Sequence, residues 1–162
     1  MKALLRTNAS WATTIVRLTL AVIFIAHGSQ KALGLFGGYG WSGTIHFFGQ
    51  LGIPAPLGAL AIIAEFFGGL GLLVGLLTRV AAAGIAVDML VAIFKVHLPN
   101  GFFVGPKMGF EFAFACFGMA LATIVSGAGM LSLDRALHKA LYERNSVPLT
   151  VVGEKQTAKT SS

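Results

Sequence analysis

The chain has 162 residues, of which 56% are hydrophobic and only 11% are charged, whereas soluble globular domains average about 45–50% and about 25%. Its mean hydropathy is +0.80. Because Asp, Glu, Lys and Arg are the residues that normally cover a surface in water, this composition excludes a water-soluble globular protein and favours a polytopic helical membrane protein.

Four segments have the roughly 20 apolar residues that a helix needs to cross the hydrocarbon core. They cover residues 11–33, 56–77, 79–98 and 107–126. The second and third are joined by little more than Thr78 and Arg79, which predicts a tight antiparallel hairpin. The fold class is therefore predicted to be all-α, a four-transmembrane-helix bundle that forms a single domain over residues 1–144.

Two shorter helices are predicted outside these spans. In the outer loop, Ser42 is a suitable N-cap for a short amphipathic helix that carries Ile45 and Phe48 on its apolar face. After the fourth span, Ser132 is a suitable cap for a short cytoplasmic helix over residues 133–142. Residues 145–162 are polar, which predicts a disordered cytoplasmic tail.

The Lys and Arg residues indicate an orientation. Nine of them lie on the side of the two termini, and only three, Lys31, Lys95 and Lys107, lie on the other side. The positive-inside rule then places both termini in the cytoplasm. Because topology also explains the net charge of +6, the expected partner is the lipid bilayer and no nucleic acid is expected.

Ionisable residues inside a span are costly in free energy and usually face the bundle interior. Apart from Arg79 and Lys107, which are the first residues of their spans, the spans contain Arg17, His27, Lys31, Glu65, Asp88, Lys95, His97 and Glu111. Most share a helical stripe with small residues, which allow close helix packing. Glu65 shares one with Gly68 and Gly69, and Glu111 shares one with Ala115, Gly118 and Ala122. These polar groups are therefore expected to meet inside the bundle.

From this set, the candidate catalytic residues are Glu65, His27 and Lys31, and the candidate substrate-binding residues are Arg17, Asp88, Lys95 and Glu111. A structural interpretation stands beside the functional one: Glu65–His27 or Glu111–Lys31 pairs would neutralise each other and fix helix register. Arg17 and Lys95 lie near span ends, where long side chains snorkel to the headgroups. The mid-span position of Glu65 favours function.

No metal site and no redox cofactor is predicted. The chain has one cysteine, Cys116, which excludes a CxxC pair and a Cys-based zinc site. His27 and His97 are in the outer half of different spans, but nothing else in the sequence supports haem ligation.

The ordered polar motifs resemble those of the DoxX family of small four-span bacterial membrane proteins. The resemblance begins with Arg17-Leu and His27-Gly-Ser-Gln-Lys31 in the first span. It continues through the second span with Glu65-Phe-Phe-Gly-Gly-Leu-Gly-Leu-Leu-Val-Gly-Leu-Leu-Thr-Arg79. It ends with Gly127-Ala-Gly-Met-Leu-Ser-Leu-Asp134, in which Ala128 replaces the family's usual proline. Together these motifs cover residues 16–137, most of the chain.

The resemblance implies a protein of the bacterial plasma (inner) membrane. The founding member of the family is similar to a subunit of a thiosulfate:quinone oxidoreductase, and other members are named as oxidoreductases linked to quinone or catechol stress. Arg17, His27, Lys31 and Glu65 match the family's recurrent polar positions, a set that suits a quinone headgroup. The implied function is an accessory or quinone-interacting subunit of a membrane oxidoreductase, with quinone as substrate and a soluble or membrane oxidoreductase as partner.

Two other functions fit the same sequence. An acid near mid-bilayer suits a small proton-coupled transporter or exporter. The chain lacks the internal repeat of a single-chain inverted-repeat transporter, an objection that a homodimer escapes. The basic inner helix around Arg135 and Lys139, together with the tail, suits a non-catalytic scaffold for a partner enzyme. Because nucleotide-binding and iron–sulfur motifs are missing, a self-sufficient enzyme is not expected.

Overall fold

The computed structural model describes residues 2–106 and 108–143, and this part of the chain contains helices and turns but no β-strand. The all-α prediction is therefore confirmed. The α-helices are α1 (Lys2–Leu5), α2 (Trp11–Leu33), α3 (Gly40–Gln50), α4 (Ala55–Val74), α5 (Thr78–Ala92), α6 (Glu111–Ser126) and α7 (Leu133–His138). Lys107 and the predicted tail over residues 145–162 lie outside the described residues.

Three helical stretches are long and apolar enough to cross a membrane: Trp11–Leu33, Ala55–Val74 and Thr78–Asn100. The third continues from α5 through a π-helical turn at Ile93–His97 and a 3-10 turn at Leu98–Asn100. These three stretches confirm the prediction of a membrane protein. They make contact with the lipid bilayer.

The predicted fourth span differs from the structure at its start. Helix α6 has 16 residues, about 24 Å at 1.5 Å per residue, and it begins at Glu111 rather than at residue 107. The preceding segment folds back on itself instead, because the Phe110 amide donates to the Gly101 carbonyl at 3.0 Å and the Glu111 amide donates to the Phe102 carbonyl at 2.9 Å. Whether α6 crosses the bilayer stays a prediction.

The four longest helices form a closed ring in which α2 and α5 each contact both α4 and α6. Its core contains Leu20, Phe24, Leu72, Ile85 and Cys116, each at most 2% exposed. We call the end of the ring formed by residues 34–54, 98–106 and 108–110 the loop end. The end formed by residues 2–10, 75–77 and 127–143 is the terminal end.

Glycines bring α2 and α4 together. A Cβ added to Gly28 would lie 2.5 Å from Phe66 Cα, and one added to Gly69 would lie 2.8 Å from the Ile25 amide nitrogen. Neither distance leaves room for a side chain, so the two backbones approach each other at these positions. The stripe predicted for the second span, which includes Glu65, is buried as expected.

The stripe of small residues predicted to pack inside the bundle from the fourth span lies on the exposed face of α6 instead. Ala115, Gly118 and Ala122 are exposed, and the buried face of α6 consists of Ala113, Cys116, Ala120 and Thr123. Both stripes consist of small residues at helical spacing, so residue size does not distinguish them. The buried face also lacks Glu111, which turns towards the loop end.

Candidate functional site

A buried ion pair joins α2 and α4. The Lys31 ammonium donates a hydrogen bond to Glu65 Oε1. The Glu65 side chain is 1% exposed, whereas that of Lys31 is 29% exposed. Helix α3 packs over this point, where the Thr44 hydroxyl donates to the Lys31 carbonyl at 3.4 Å. The structure therefore forms neither of the two pairs considered from the sequence, since Lys31 takes Glu65 as its partner.

A second carboxyl faces this pair from α5. Asp88 is half-buried and lies close enough to Glu65 and Lys31 to experience both charges. Among the described residues Glu65 Oε2 is a buried atom with no hydrogen-bond donor. The arrangement is thus one ammonium facing two carboxyls, a set that can hold or release a proton.

His27 lies at the edge of this group and does not pair with Glu65. Its ring is exposed on the side of the bundle and packs against Phe112 of α6, with ring centroids 5.7 Å apart. It remains close enough to Lys31 and Glu65 to experience both charges. Because His27 is six residues before the end of α2, it lies about 9 Å below the loop end.

The other candidates near the loop end lie apart from the ion pair. Glu111 Oε1 accepts a hydrogen bond from the Val104 amide at 2.7 Å, which fixes the fold-back segment. His97 Nδ1 lies 2.7 Å from the Met108 carbonyl oxygen. The Lys95 side chain is exposed on the π-helical turn. The expectation that all these polar groups meet inside the bundle is wrong for these three.

Arg17 is at the opposite, terminal end and is buried rather than snorkelling, since its side chain is 1% exposed. Its guanidinium donates to the Leu72 carbonyl, to the Leu73 carbonyl at 2.9 Å and to the Leu131 carbonyl at 2.5 Å. The last carbonyls of a helix lack the usual amide donor of a following turn, and at the end of α4 the Leu72 carbonyl accepts only the Gly75 amide from the backbone, at 3.3 Å. Arg17 supplies further donors there, so the prediction of snorkelling is wrong.

Asp134 is a structural residue whose role the sequence analysis missed. Its side chain is 1% exposed, and its two oxygens accept hydrogen bonds from the Leu77 amide at 2.8 Å and the Thr78 amide at 2.9 Å. These are the first amides of α5, whose N-cap position is Leu77 and makes no side-chain cap. Leucine cannot cap a helix with its side chain. Its place at the start of α5 was the signal in the sequence that a residue from elsewhere in the chain supplies the cap.

Arg79 also joins separate segments of the chain at the terminal end. Its guanidinium donates to the Ile124 carbonyl near the end of α6 and to the Arg6 carbonyl at 3.0 Å. The sequence analysis used Arg79 only for membrane orientation. The structure instead shows that Arg17, Arg79 and Asp134 hold helix ends, and the group around Glu65 is a separate site near the middle of the bundle.

The sequence profile of the DoxX family matches residues 12–98, more than half of the chain and all of the segment that holds Lys31, Glu65 and Asp88. The chain belongs to the DoxX family. Its membership agrees with the resemblance seen in the sequence motifs.

Named relatives match this DoxX protein over most of their own length. The Bacillus subtilis protein "Putative oxidoreductase CatD" is 30% identical over 134 residues, 82% of this chain and 92% of that protein. The Escherichia coli inner membrane protein YqjF is 31% identical over 125 residues, 77% of this chain and 91% of that protein. The E. coli inner membrane protein YphA is 30% identical over 127 residues, with 75% and 86% covered. No solved structure matches significantly.

Proposed function

We propose that this DoxX protein is a quinone-interacting membrane component of an oxidoreductase system. The observation that carries the proposal is the Lys31–Glu65 ion pair, in which Glu65 is 1% exposed and keeps one oxygen without a donor among the described residues. A charge in a span costs free energy and is usually retained for a function. The name of the B. subtilis relative adds weaker support for oxidoreductase chemistry.

The surroundings of the pair suit a ligand that arrives through the bilayer. The exposed His27 ring, with the half-exposed Phe112 beside it, offers an aromatic surface at lipid depth next to Lys31. A quinone headgroup is planar and apolar on its faces and accepts hydrogen bonds at its two oxygens. Lys31 or His27 would donate to one quinone oxygen, and the rings would pack against its face.

Reduction of a quinone to a quinol takes up two electrons and two protons. We assign the electrons to a partner oxidoreductase. One proton comes from the carboxyl pair of Glu65 and Asp88 and the other from Lys31. Both groups regain protons from water at the loop end. The role of this chain is thus to bind the headgroup and supply protons.

The test compares two acid-to-amide variants that differ only in position. The purified protein in detergent is titrated with a short-chain benzoquinone, and bound quinone is measured by equilibrium dialysis. We expect Glu65→Gln to weaken binding at least tenfold, because Lys31 loses its counter-ion and the proton site is removed. Glu111→Gln, at an acid that binds only the fold-back segment, is the matched control. The proposal is contradicted if the wild-type protein binds no benzoquinone, or if both variants lose the same amount of benzoquinone affinity.

A proton-coupled exporter is the second candidate, favoured by the facing carboxyls of Glu65 and Asp88. Two carboxyls that exchange one proton near mid-bilayer are suited to coupling proton movement to that of a solute. Proteoliposomes with a pH-sensitive dye inside would then acidify or alkalinise when a solute gradient is imposed. Coupling predicts that this signal disappears in Glu65→Gln. A signal of unchanged size in that variant assigns proton movement to another route.

We also propose that α6 is a fourth span and that both termini are cytoplasmic. The support is the contact of α6 with both α2 and α5 and the excess of Lys and Arg at the terminal end. Reporter fusions after residue 143 and within residues 101–106 test it. Opposite locations of the two reporters, with the first one cytoplasmic, are the expected result, and reporters on the same side contradict the fourth span.

A further inference from the structure

We infer that the terminal end carries a binding site for the phosphate of an anionic phospholipid, formed by Arg6, Arg135 and Lys139. These side chains line a cavity of about 280 Å³ together with Thr7, Ala9 and His138. None of the described residues that line it is acidic. A concave surface with several cations and no carboxylate attracts an anion, and guanidinium groups match phosphate geometry in particular.

The walls of this cavity are held in place by the rest of the terminal end. The Thr7 hydroxyl accepts a hydrogen bond from the Gly129 amide at 2.6 Å, and the Asn8 amide donates to the Ser126 carbonyl at 3.0 Å. Helix α7 is fixed by Asp134, whose oxygens are both used at the start of α5. Asp134, the acid within α7, is therefore directed towards α5 and away from the cavity, while Arg135 uses one of its guanidinium nitrogens on Met130.

A second cavity argues for a lipid rather than a free anion. It measures about 400 Å³, shares Arg135 and Lys139 with the first, and is otherwise lined by Met130, Leu131, Ser132 and Ala136. Cations on one side and apolar side chains on the other match a molecule that has a phosphate and hydrocarbon in one piece. Inorganic phosphate would use only the first cavity.

The depth of the site in the membrane agrees with a headgroup. Leu133, Leu137 and Leu141 are 47%, 40% and 50% exposed and recur every four residues, so they form one apolar stripe along α7 and the turn after it. A short basic helix with such a stripe lies in the interface, its leucines towards the acyl chains. Trp11, 58% exposed at the start of α2, marks the same level, as interfacial aromatic residues do.

The test uses the full-length protein in a neutral detergent and native mass spectrometry with added lipid. Wild type should retain phosphatidylglycerol in preference to phosphatidylcholine. Each basic residue near an anionic lipid is worth about fivefold in affinity, so the double variant Arg6→Gln/Lys139→Gln should lose about 25-fold. Lys139→Arg should bind as wild type does. Lys95→Gln is the matched control, because this exposed lysine lies at the loop end.

Folding is not expected to confound the result. The Arg6 and Lys139 side chains are exposed, and Arg79 holds Arg6 through the backbone carbonyl, so the double variant should unfold at the wild-type temperature without lipid. Equal retention of both lipids by wild type overturns the proposal. So does an equal loss in Lys95→Gln. The proposal is also overturned if inorganic phosphate binds as tightly as phosphatidylglycerol and displaces it at millimolar concentration. That result would assign the site to a free anion.

Discussion

Replacing Lys31 by Met tests whether the ion pair is as costly to break as its burial implies. Met keeps the length and apolar contacts of the lysine stem but removes the ammonium that bonds Glu65. The Glu65 carboxylate is then left 1% exposed, without the cation that α2 supplied and with Asp88 still facing it. It must either stay charged without a partner or take up a proton.

The structure and general energetics set the size of the loss. Removing one partner of a buried ion pair costs about 3–5 kcal/mol. Because Lys31 is 29% exposed and water screens part of the attraction, we expect the lower end, about 3 kcal/mol at pH 7.

Unfolding by SDS in mixed micelles, followed by far-UV circular dichroism, measures these free energies. Lys95→Met is the control and should change stability by less than about 0.5 kcal/mol, as for an ordinary surface substitution. The double variant Lys31→Met/Glu65→Gln should recover most of the loss, since no charge is then stranded. The reasoning is refuted if Lys31→Met is as stable as wild type at pH 7, or if adding Glu65→Gln to Lys31→Met recovers none of the loss.

Three further predictions concern packing and the terminal end. Gly28→Ala should destabilise the protein by about 1–3 kcal/mol, because its Cβ would lie 2.5 Å from Phe66 Cα, whereas Gly118→Ala, with no atom within 4 Å, should be neutral in the same SDS titration. Asp134→Ala removes both caps at the start of α5 and should cost about 2–4 kcal/mol; stability equal to wild type would show that water replaces the carboxylate. Arg17→Lys should cost about 2 kcal/mol despite the retained charge, since an ammonium does not reproduce the fork that reaches three carbonyls; full rescue by Lys would contradict that geometry.

The helices of the first two spans could be predicted closely from the sequence. A continuous apolar segment fixes the length of each span, and the glycines beside Glu65 indicate which face of the second one is packed. Gly28 and Gly69 contribute because a helix backbone approaches another only where side chains are absent. The buried position of Glu65 followed from that periodicity alone.

The fourth helix shows where such periodicity stops being informative. Its two faces both carry small residues, one with Gly118 and one with Cys116 and Ala120, and only packing against α2 and α5 selects the second. Its start was misplaced for a similar reason. A hydropathy window averages neighbouring residues. The chain turns back before α6 because of backbone hydrogen bonds between residues that are not neighbours, from Phe110 to Gly101 and from Glu111 to Phe102, and such a window does not detect them.

The roles of the buried charges at the terminal end depend on contacts across the chain that no local pattern contains. Arg17 bonds carbonyls 55 and more residues away, and Asp134 caps a helix that begins 56 residues earlier. A sequence motif can indicate that such residues matter. It does not indicate that Arg17 contacts the end of α4 and Asp134 the start of α5, because the topology of the bundle decides which helix ends lie beside them.

Comparison of the two buried carboxylates distinguishes a structural acid from a functional candidate. Asp134 and Glu65 are each 1% exposed, so both lose hydration to the same degree. Both oxygens of Asp134 accept backbone amides, so each has a donor within the protein. In Glu65 one oxygen bonds Lys31 and the other has no donor among the described residues. A carboxylate buried with unused hydrogen-bonding capacity costs stability, and a proton or a ligand oxygen bound there would recover that cost. The same argument predicts that a bound quinone stabilises wild type against SDS, whereas Glu65→Gln gains nothing from it.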